Sequence, residues 1–388
     1  MVRTFLPPDV FYKQLLERGV RFFTGVPDSL LMDFCAYVAN VASPTQHVIT
    51  ANEGSAVALA AGHHMSTGDV PLVYLQNSGL GNTVNPLLSL SHPQVYGIPM
   101  MLMIGWRGEP GKKDEPQHRV QGSLTPNLLT SLGINFAILP DYDEGSAETL
   151  DDLLSWSRKR SCPVALLVKR QTFTRVKLDT VDAPEHLDMT REGFLEALLP
   201  LLGQWDVTVS STGFLSRELY EQRKLTGVSD DTDVRSDFLT VGSMGHASAI
   251  ATGIALGKRS RQVVCLDGDG AAIMHLGNMV TAGTSSLTNY KHILINNGCH
   301  DSVGGQEVCV CSHGFNVDFP AIATATGYRH AARAETQADA VEAVKELLST
   351  DGPAFLEVRV RPGARSDLGR PKSTPKDNKN AFMNYLRL

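Results

Sequence analysis

Short apolar runs rich in Val, Ile and Leu recur along this chain, each separated from the next by enough residues for a helix, and this alternation restricts the fold more than any other feature. In the first half the runs cover residues 20–23, 72–75, 100–104 and 165–168; in the second they cover 207–210, 263–266, 292–295 and 354–360. A strand that is apolar on both faces must be covered on both faces, which calls for parallel sheets made of strand–helix–strand units. Helical patterns at 191–199 and 338–348 fit between them. The 388 residues exceed one ordinary domain and suit two of roughly 150–200 residues each. The expectation is an α/β protein with two doubly wound parallel-sheet domains. The first covers residues 1–170, a polar, strand-poor linker follows at 171–190, and the second covers 191–362. Pro362, Pro371 and Pro375 mark 363–388 as an extended tail, laid on the surface or on a neighbouring subunit.

Composition excludes several classes of function. A formal charge of −6 gives no reason to expect nucleic acid as a partner. No stretch approaches the roughly 18–20 apolar residues that cross a bilayer, and the first residues read as a Pro-initiated amphipathic helix rather than a signal peptide. A cytoplasmic protein without membrane contact is expected. The six cysteines (Cys35, Cys162, Cys265, Cys299, Cys309 and Cys311) are too sparse for a disulfide framework and are expected to be reduced.

The chemistry is concentrated where apolar runs end. One run leads into Gly268-Asp269-Gly270-Ala271, and about 25 residues later a second ends in Asn296-Asn297-Gly298. Both polar clusters fall at C-terminal strand ends, where open α/β sheets place ligands. One carboxylate, one amide oxygen and nearby carbonyls make an oxygen site suited to Mg²⁺, whose remaining positions suit diphosphate oxygens. Glycines there let backbone approach phosphate. Taken singly, each cluster is also an ordinary turn.

Together these clusters resemble the signature of thiamine-diphosphate-dependent enzymes. The resemblance implies Mg²⁺ ligands at Asp269, Asn297 and the Cys299 carbonyl, with a one-residue slip exchanging Asn297 for Asn296. It also implies that Gly242 and Met244, in the segment GSMGHA, hold the cofactor's pyrimidine. The Gly242 carbonyl would accept from the amino group and Met244 would wedge between the two rings, although Met244 equally suits core packing. Ser211 and Thr212, after a strand, can meet a phosphate or cap a helix. The family requires a carboxylate at the pyrimidine nitrogen, and the segment HVITANEGSAVALAAG implies Glu53. A Glu in a first helical turn is also simply favoured by the helix dipole. In this family the two halves of the site usually come from different subunits, so the expected assembly is a homo-oligomer, at least a dimer.

Further segments narrow the group. GVPDSL (25–30), QNSGLGN (76–82), GWRGEPGKKDEPQH (105–118), NNGCHDSVGGQ (296–306) and DLGRP (367–371) are similar to phosphonopyruvate decarboxylases, and the similarity covers nearly the whole chain. It implies decarboxylation of 3-phosphonopyruvate, a small 2-oxo acid, to phosphonoacetaldehyde and CO₂. Sulfopyruvate decarboxylase and a noncatalytic thiamine-diphosphate-binding homologue are the alternatives. A dianionic phosphonate calls for cationic side chains, and the loop after residue 104 offers Arg107, Lys112, Lys113, His118 and Arg119, unless they are only a solvated face. Asp28 and Ser29 could orient the substrate or relay a proton, or merely cap a helix. His300, Asp301, Ser302 and Gln306 could close over the substrate. Other motifs fail on spacing: residues 253–258 lack a complete P-loop, and Cys309, Cys311 and His313 lack zinc-site spacing and a fourth ligand.

Overall fold

The computed structural model describes residues 5–179, 186–225, 235–308 and 316–388. Cys309, Cys311 and His313 lie outside them. Contacts divide the chain into two compact units, residues 5–179 with 302–308, and residues 186–301 with 316–388.

The first unit contains α1 (Pro8–Glu17), β1 (Phe23–Gly25), α2 (Met32–Val41), β2 (His47–Ile49), α3 (Glu53–Thr67), β3 (Leu72–Gln76), α4 (Leu80–Pro86), β4 (Met100–Gly105), α5 (Pro116–Ser131), β5 (Asn135–Ile138), α6 (Asp143–Arg160) and β6 (Pro163–Val168). Its sheet has the order β2-β1-β3-β4-β6-β5, with every pair parallel. Side chains alternate between two cores. On β3 and β4, Leu72, Tyr74, Met101 and Met103 face one apolar cluster, while Val73, Leu75, Leu102 and Ile104 face the other. This period of two inside an unbroken apolar run is what burial on both faces requires.

The second unit contains α7 (Arg191–Leu198), β7 (Val207–Ser210), α8 (Phe214–Leu225), β8 (Asp237–Leu239), α9 (Ala247–Gly257), β9 (Val263–Gly268), α10 (Asp269–Met274), α11 (Asn278–Thr284), β10 (Tyr290–Asn296), the two-residue β11 (Cys299–His300), α12 (Phe319–Ala325), β13 (His330–Ala334), α13 (Gln337–Ser349), β14 (Ala354–Arg359) and α14 (Pro375–Tyr385), while the two-residue β12 (Gln306–Glu307) belongs to the first unit. The order β13-β14-β10-β9-β7-β8 is again all parallel. Val264 and Leu266 face one core and Val263 and Cys265 the other.

In each sheet the chain first steps outward, from β1 to β2 and from β7 to β8, and then returns to the other side. The strand order therefore reverses between β1 and β3 and between β7 and β9. A reversal opens a crevice at the C-terminal strand ends, which is where doubly wound sheets bind ligands.

The segment expected as a linker contributes apolar side chains to both units, with Phe173 in a core of the first and Met189 in a core of the second. One expectation is corrected. The tail is not extended throughout. Thr374 accepts from Asp377 N–H while the Asp377 carboxylate accepts from Thr374 N–H, and this reciprocal cap starts α14, whose Phe382 is buried. Prolines that read as breakers thus include one, Pro375, at the first helical position, where proline is tolerated. The described cysteines, Cys35, Cys162, Cys265 and Cys299, are free. No helix among the described residues is long and apolar enough to cross a membrane.

Candidate active site

In the first unit the C-terminal ends of β1, β3 and β4 bring Asp28, Gln76 and Arg107 together. Asp28 is fully buried. Its Oδ2 accepts the Leu30 N–H, whereas Oδ1 has no hydrogen-bond partner. Burial pushes the Asp28 carboxyl above the ordinary carboxylate range, opposed by the Leu30 N–H and the charge of Arg107. A Cβ at Gly105 would stand 2.6 Å from Asp28 Oδ1, so the last residue of β4 must be glycine for the carboxyl to fit. Arg107 is already engaged. Its Nε and Nη2 hold Asp114 at 2.9 and 2.6 Å, and Nη1 donates to Ser29 Oγ at 2.9 Å. Burial of Asp114 opposes ionisation, but Arg107 and the N–H groups of Glu115 and Gly108 hold its carboxyl well below the usual range. The Arg107–Asp114 pair therefore fixes Ser29 and leaves Arg107 few donors for a substrate. Lys112, Lys113 and Arg119 are exposed and His118 is half-buried.

Glu53 opens α3. The Asn52 side chain caps that helix by accepting the Gly54 N–H at 2.7 Å, which turns Glu53 inward to 5% exposure. Asn82 Nδ2 donates to Glu53 Oε2 at 2.7 Å. Burial raises the Glu53 pKa against this bond, which suits a group that shares a proton with a ring nitrogen. A Cβ on Gly79 would lie 2.3 Å from Glu53 Oε1. Gly79→Ala is thus expected to displace the carboxylate and lower turnover about 10²-fold, the scale of a misplaced reacting group, with far-UV circular dichroism unchanged. Wild-type turnover would show that the carboxylate position is not critical.

In the second unit β9 ends at Gly268 and Asp269 begins α10. Asp269 Oδ1 accepts the Gly270 N–H at 2.9 Å and Oδ2 the Gly298 N–H at 2.7 Å. Burial pushes the Asp269 carboxyl up to about 7, with these N–H groups opposing and Asp301 adding to the rise. Asn297 Nδ2 donates to Asp301 Oδ2 at 2.7 Å. A buried carboxylate that ionises reluctantly, set beside an amide oxygen and loop carbonyls, is a hard-oxygen donor set that a divalent cation would complete. The residues fit Mg²⁺. The other asparagine, Asn296, is committed elsewhere, since its Nδ2 donates to Glu357 at 2.8 Å and its Oδ1 accepts the Gly298 N–H at 3.1 Å.

A Cβ on Gly270 would lie 2.6 Å from the His300 ring and 3.4 Å from the Met244 methyl, so Gly270, Met244 and His300 line one spot. Burial draws the His300 imidazole down to about 4 despite Asp301, leaving it neutral at neutral pH. Ser211 is buried after β7, and its Oγ would lie 3.8 Å from a Cβ on Gly268. Thr212, Gly242 and Met244 are half-buried nearby in sequence, and Ala271 is buried. The first-unit part of the substrate segment is represented by Gln306, whose Nε2 donates to the Met32 carbonyl at 3.4 Å.

Sequence reasoning missed the groups that hold the site residues in place: Asn82 and Gly79 on Glu53, Gly105 on Asp28, Asp114 on Arg107, and Arg191 on Asp301. The segments QNSGLGN (76–82) and GWRGEPGKKDEPQH (105–118) contained Gly79, Asn82, Gly105 and Asp114, but nothing in them showed which site residue each would hold.

Comparison with known proteins identifies the family. Residues 8–128 match the family "Thiamine pyrophosphate enzyme, N-terminal TPP binding domain" and residues 226–358 match "Thiamine pyrophosphate enzyme, C-terminal TPP binding domain". The chain belongs to the thiamine pyrophosphate enzymes and is a thiamine-diphosphate-dependent decarboxylase of the 2-oxo acid class. Within that class it is 35% identical to phosphonopyruvate decarboxylase of Streptomyces hygroscopicus over 381 residues, covering 95% of this chain and 90% of the relative. It is also 35% identical to phosphonopyruvate decarboxylase of Streptomyces viridochromogenes, covering 95% and 92%. Identity to sulfopyruvate decarboxylase of Methanosarcina acetivorans is 25%, covering 86% of each.

Proposed function

We propose that the chain uses thiamine diphosphate and Mg²⁺ to decarboxylate 3-phosphonopyruvate to phosphonoacetaldehyde and CO₂. The observation that carries this is the buried Asp269 at the end of β9, beside the strand-order reversal, whose Oδ2 accepts the N–H of Gly298 next to Asn297. In this reading Asp269, Asn297 Oδ1 and the Cys299 carbonyl hold Mg²⁺. The backbone of Gly268, Gly270 and Ala271 and the hydroxyls of Ser211 and Thr212 face the diphosphate, while Gly242 and Met244 hold the pyrimidine. When bound, the cofactor supplies the electron sink for the pair released with CO₂.

Glu53 holds the proton at the pyrimidine nitrogen. Asp28, whose burial favours its protonated form, is assigned to proton transfer at the carbon that loses CO₂, and Arg107 orients Ser29 beside it. Lys112, Lys113 and His118 are assigned to the phosphonate, and neutral His300 to the substrate end of the cation loop. The assembly proposed is a homo-oligomer, at least a dimer, in which different subunits supply Glu53 and the diphosphate site. Support for a phosphonate over a sulfonate comes from the 35% against 25% identities.

Dialysis against EDTA followed by reconstitution tests the cofactor requirement. Activity is expected to disappear and to return only when thiamine diphosphate and Mg²⁺ are both added; full activity without either one contradicts the reading.

A further inference from the structure

Asp301 is the point where separate stretches of the second unit meet. Its Oδ2 accepts from Asn297 Nδ2 at 2.7 Å and from Arg191 Nη1 at 3.0 Å. The Gly363 N–H donates to both oxygens at 3.1 Å, and the Cys299 thiol donates to Oδ1 at 3.1 Å. The Asp301 and Arg191 side chains are only 11% and 8% exposed. Arg191 is itself clamped by Glu218, at 2.6 and 2.9 Å. Asp301 therefore cannot swing away without leaving a buried guanidinium short of its partner.

An amide has one donor end and one acceptor end, and a carboxylate can only accept. Placed against Asn297, Asp301 selects the rotamer whose nitrogen points at Asp301 and whose Oδ1 points the other way. Among the described residues, Asn297 Oδ1 meets only the Cys299 N–H, at a long 3.4 Å. It is left for another electropositive partner.

We infer that Asp301, locked by Arg191, is a positioning residue for the cation: it presents Asn297 Oδ1 to Mg²⁺ and ties that loop to the segment following β14. This rests on the reading of Asp269 and Asn297 as cation ligands. Outer partners of metal ligands generally contribute 10–100-fold in affinity.

The test is Mn²⁺ titration by electron paramagnetic resonance of the full chain with thiamine diphosphate present, using D301A, the near-isosteric D301N, R191K and, as a control on the cation reading, D269N. Circular dichroism establishes that each variant is folded. D301A is expected to bind Mn²⁺ about 10–100-fold more weakly. D301N, which keeps an acceptor but not the charge, and R191K, which keeps the charge but not the fork, are expected to lose less. If D301A does not fold, D301N decides. Mn²⁺ affinity within twofold of wild type in the Asp301 variants, with D269N impaired, overturns the positioning role alone. Wild-type affinity in D269N overturns the cation reading beneath it.

Discussion

Glu53→Gln is expected to lower turnover about 10²–10⁴-fold, the range that proton transfer by a placed side chain supplies, while thiamine diphosphate still binds. The substitution keeps the shape. A glutamine oxygen can still accept from Asn82 Nδ2, now 2.7 Å from the carboxylate, and Gly79 leaves the same space. What disappears is a group able to hold and release a proton, for which burial has raised the Glu53 pKa. Steady-state rates together with calorimetric cofactor binding separate the two effects. Unchanged turnover in folded Glu53→Gln protein would remove this residue from the chemistry.

Asp269→Asn is expected to weaken divalent-cation binding by roughly 3–5 kcal/mol, or about 10²–10⁴-fold. The charge is lost, and the new NH₂ faces one of the N–H groups of Gly270 or Gly298 that the two carboxylate oxygens accept. A pH dependence follows for the natural residue. Burial first, then Asp301, lifts Asp269 from 3.8 to about 7 in the folded chain. Between those values the folded state holds a proton that the unfolded state has released, so this group's contribution to stability is present below 3.8 and lost as pH rises through about 7. Mg²⁺ bound to the ionised carboxylate offsets that loss. The rise in melting temperature on adding Mg²⁺ should therefore be larger at pH 8 than at pH 5.5, since below about 7 the cation must displace a proton. Thermal melts with and without Mg²⁺ across that range check this, and an equal rise at both pH values would contradict it.

The interior of each sheet was legible in the sequence and its edges were not. Residues 207–210 are β7 itself, and β3, β4, β6, β9, β10 and β14 lie on the apolar runs; β1 begins at Phe23 rather than at residue 20. The other four strands of the two large sheets are β2, β5, β8 and β13, and all four are edge strands. Covered less completely, β5 and β13 carry exposed or half-buried residues in place of an apolar run. β2 could be anticipated only through the resemblance around Glu53.

The proposed cation ligands, Asp269 and Asn297, could be picked out because each follows directly on a strand and the spacing between them is local. Their supports were not, because Arg191 reaches Asp301 across 110 positions and Asn82 reaches Glu53 across 29. Such partnerships are created by the fold, and neither residue signals the other. The basic loop shows the opposite problem: its composition suggested an anion site, but the structure commits Arg107 to Asp114 and Ser29.

The most direct test of the central claim is aldehyde formation, followed through a coupled alcohol dehydrogenase, from phosphonopyruvate, sulfopyruvate and pyruvate in the presence of thiamine diphosphate and Mg²⁺. Turnover that strongly prefers phosphonopyruvate is the predicted result. Preference for sulfopyruvate would keep the cofactor chemistry and contradict the substrate, and no turnover on any of the three would contradict decarboxylation of this substrate class.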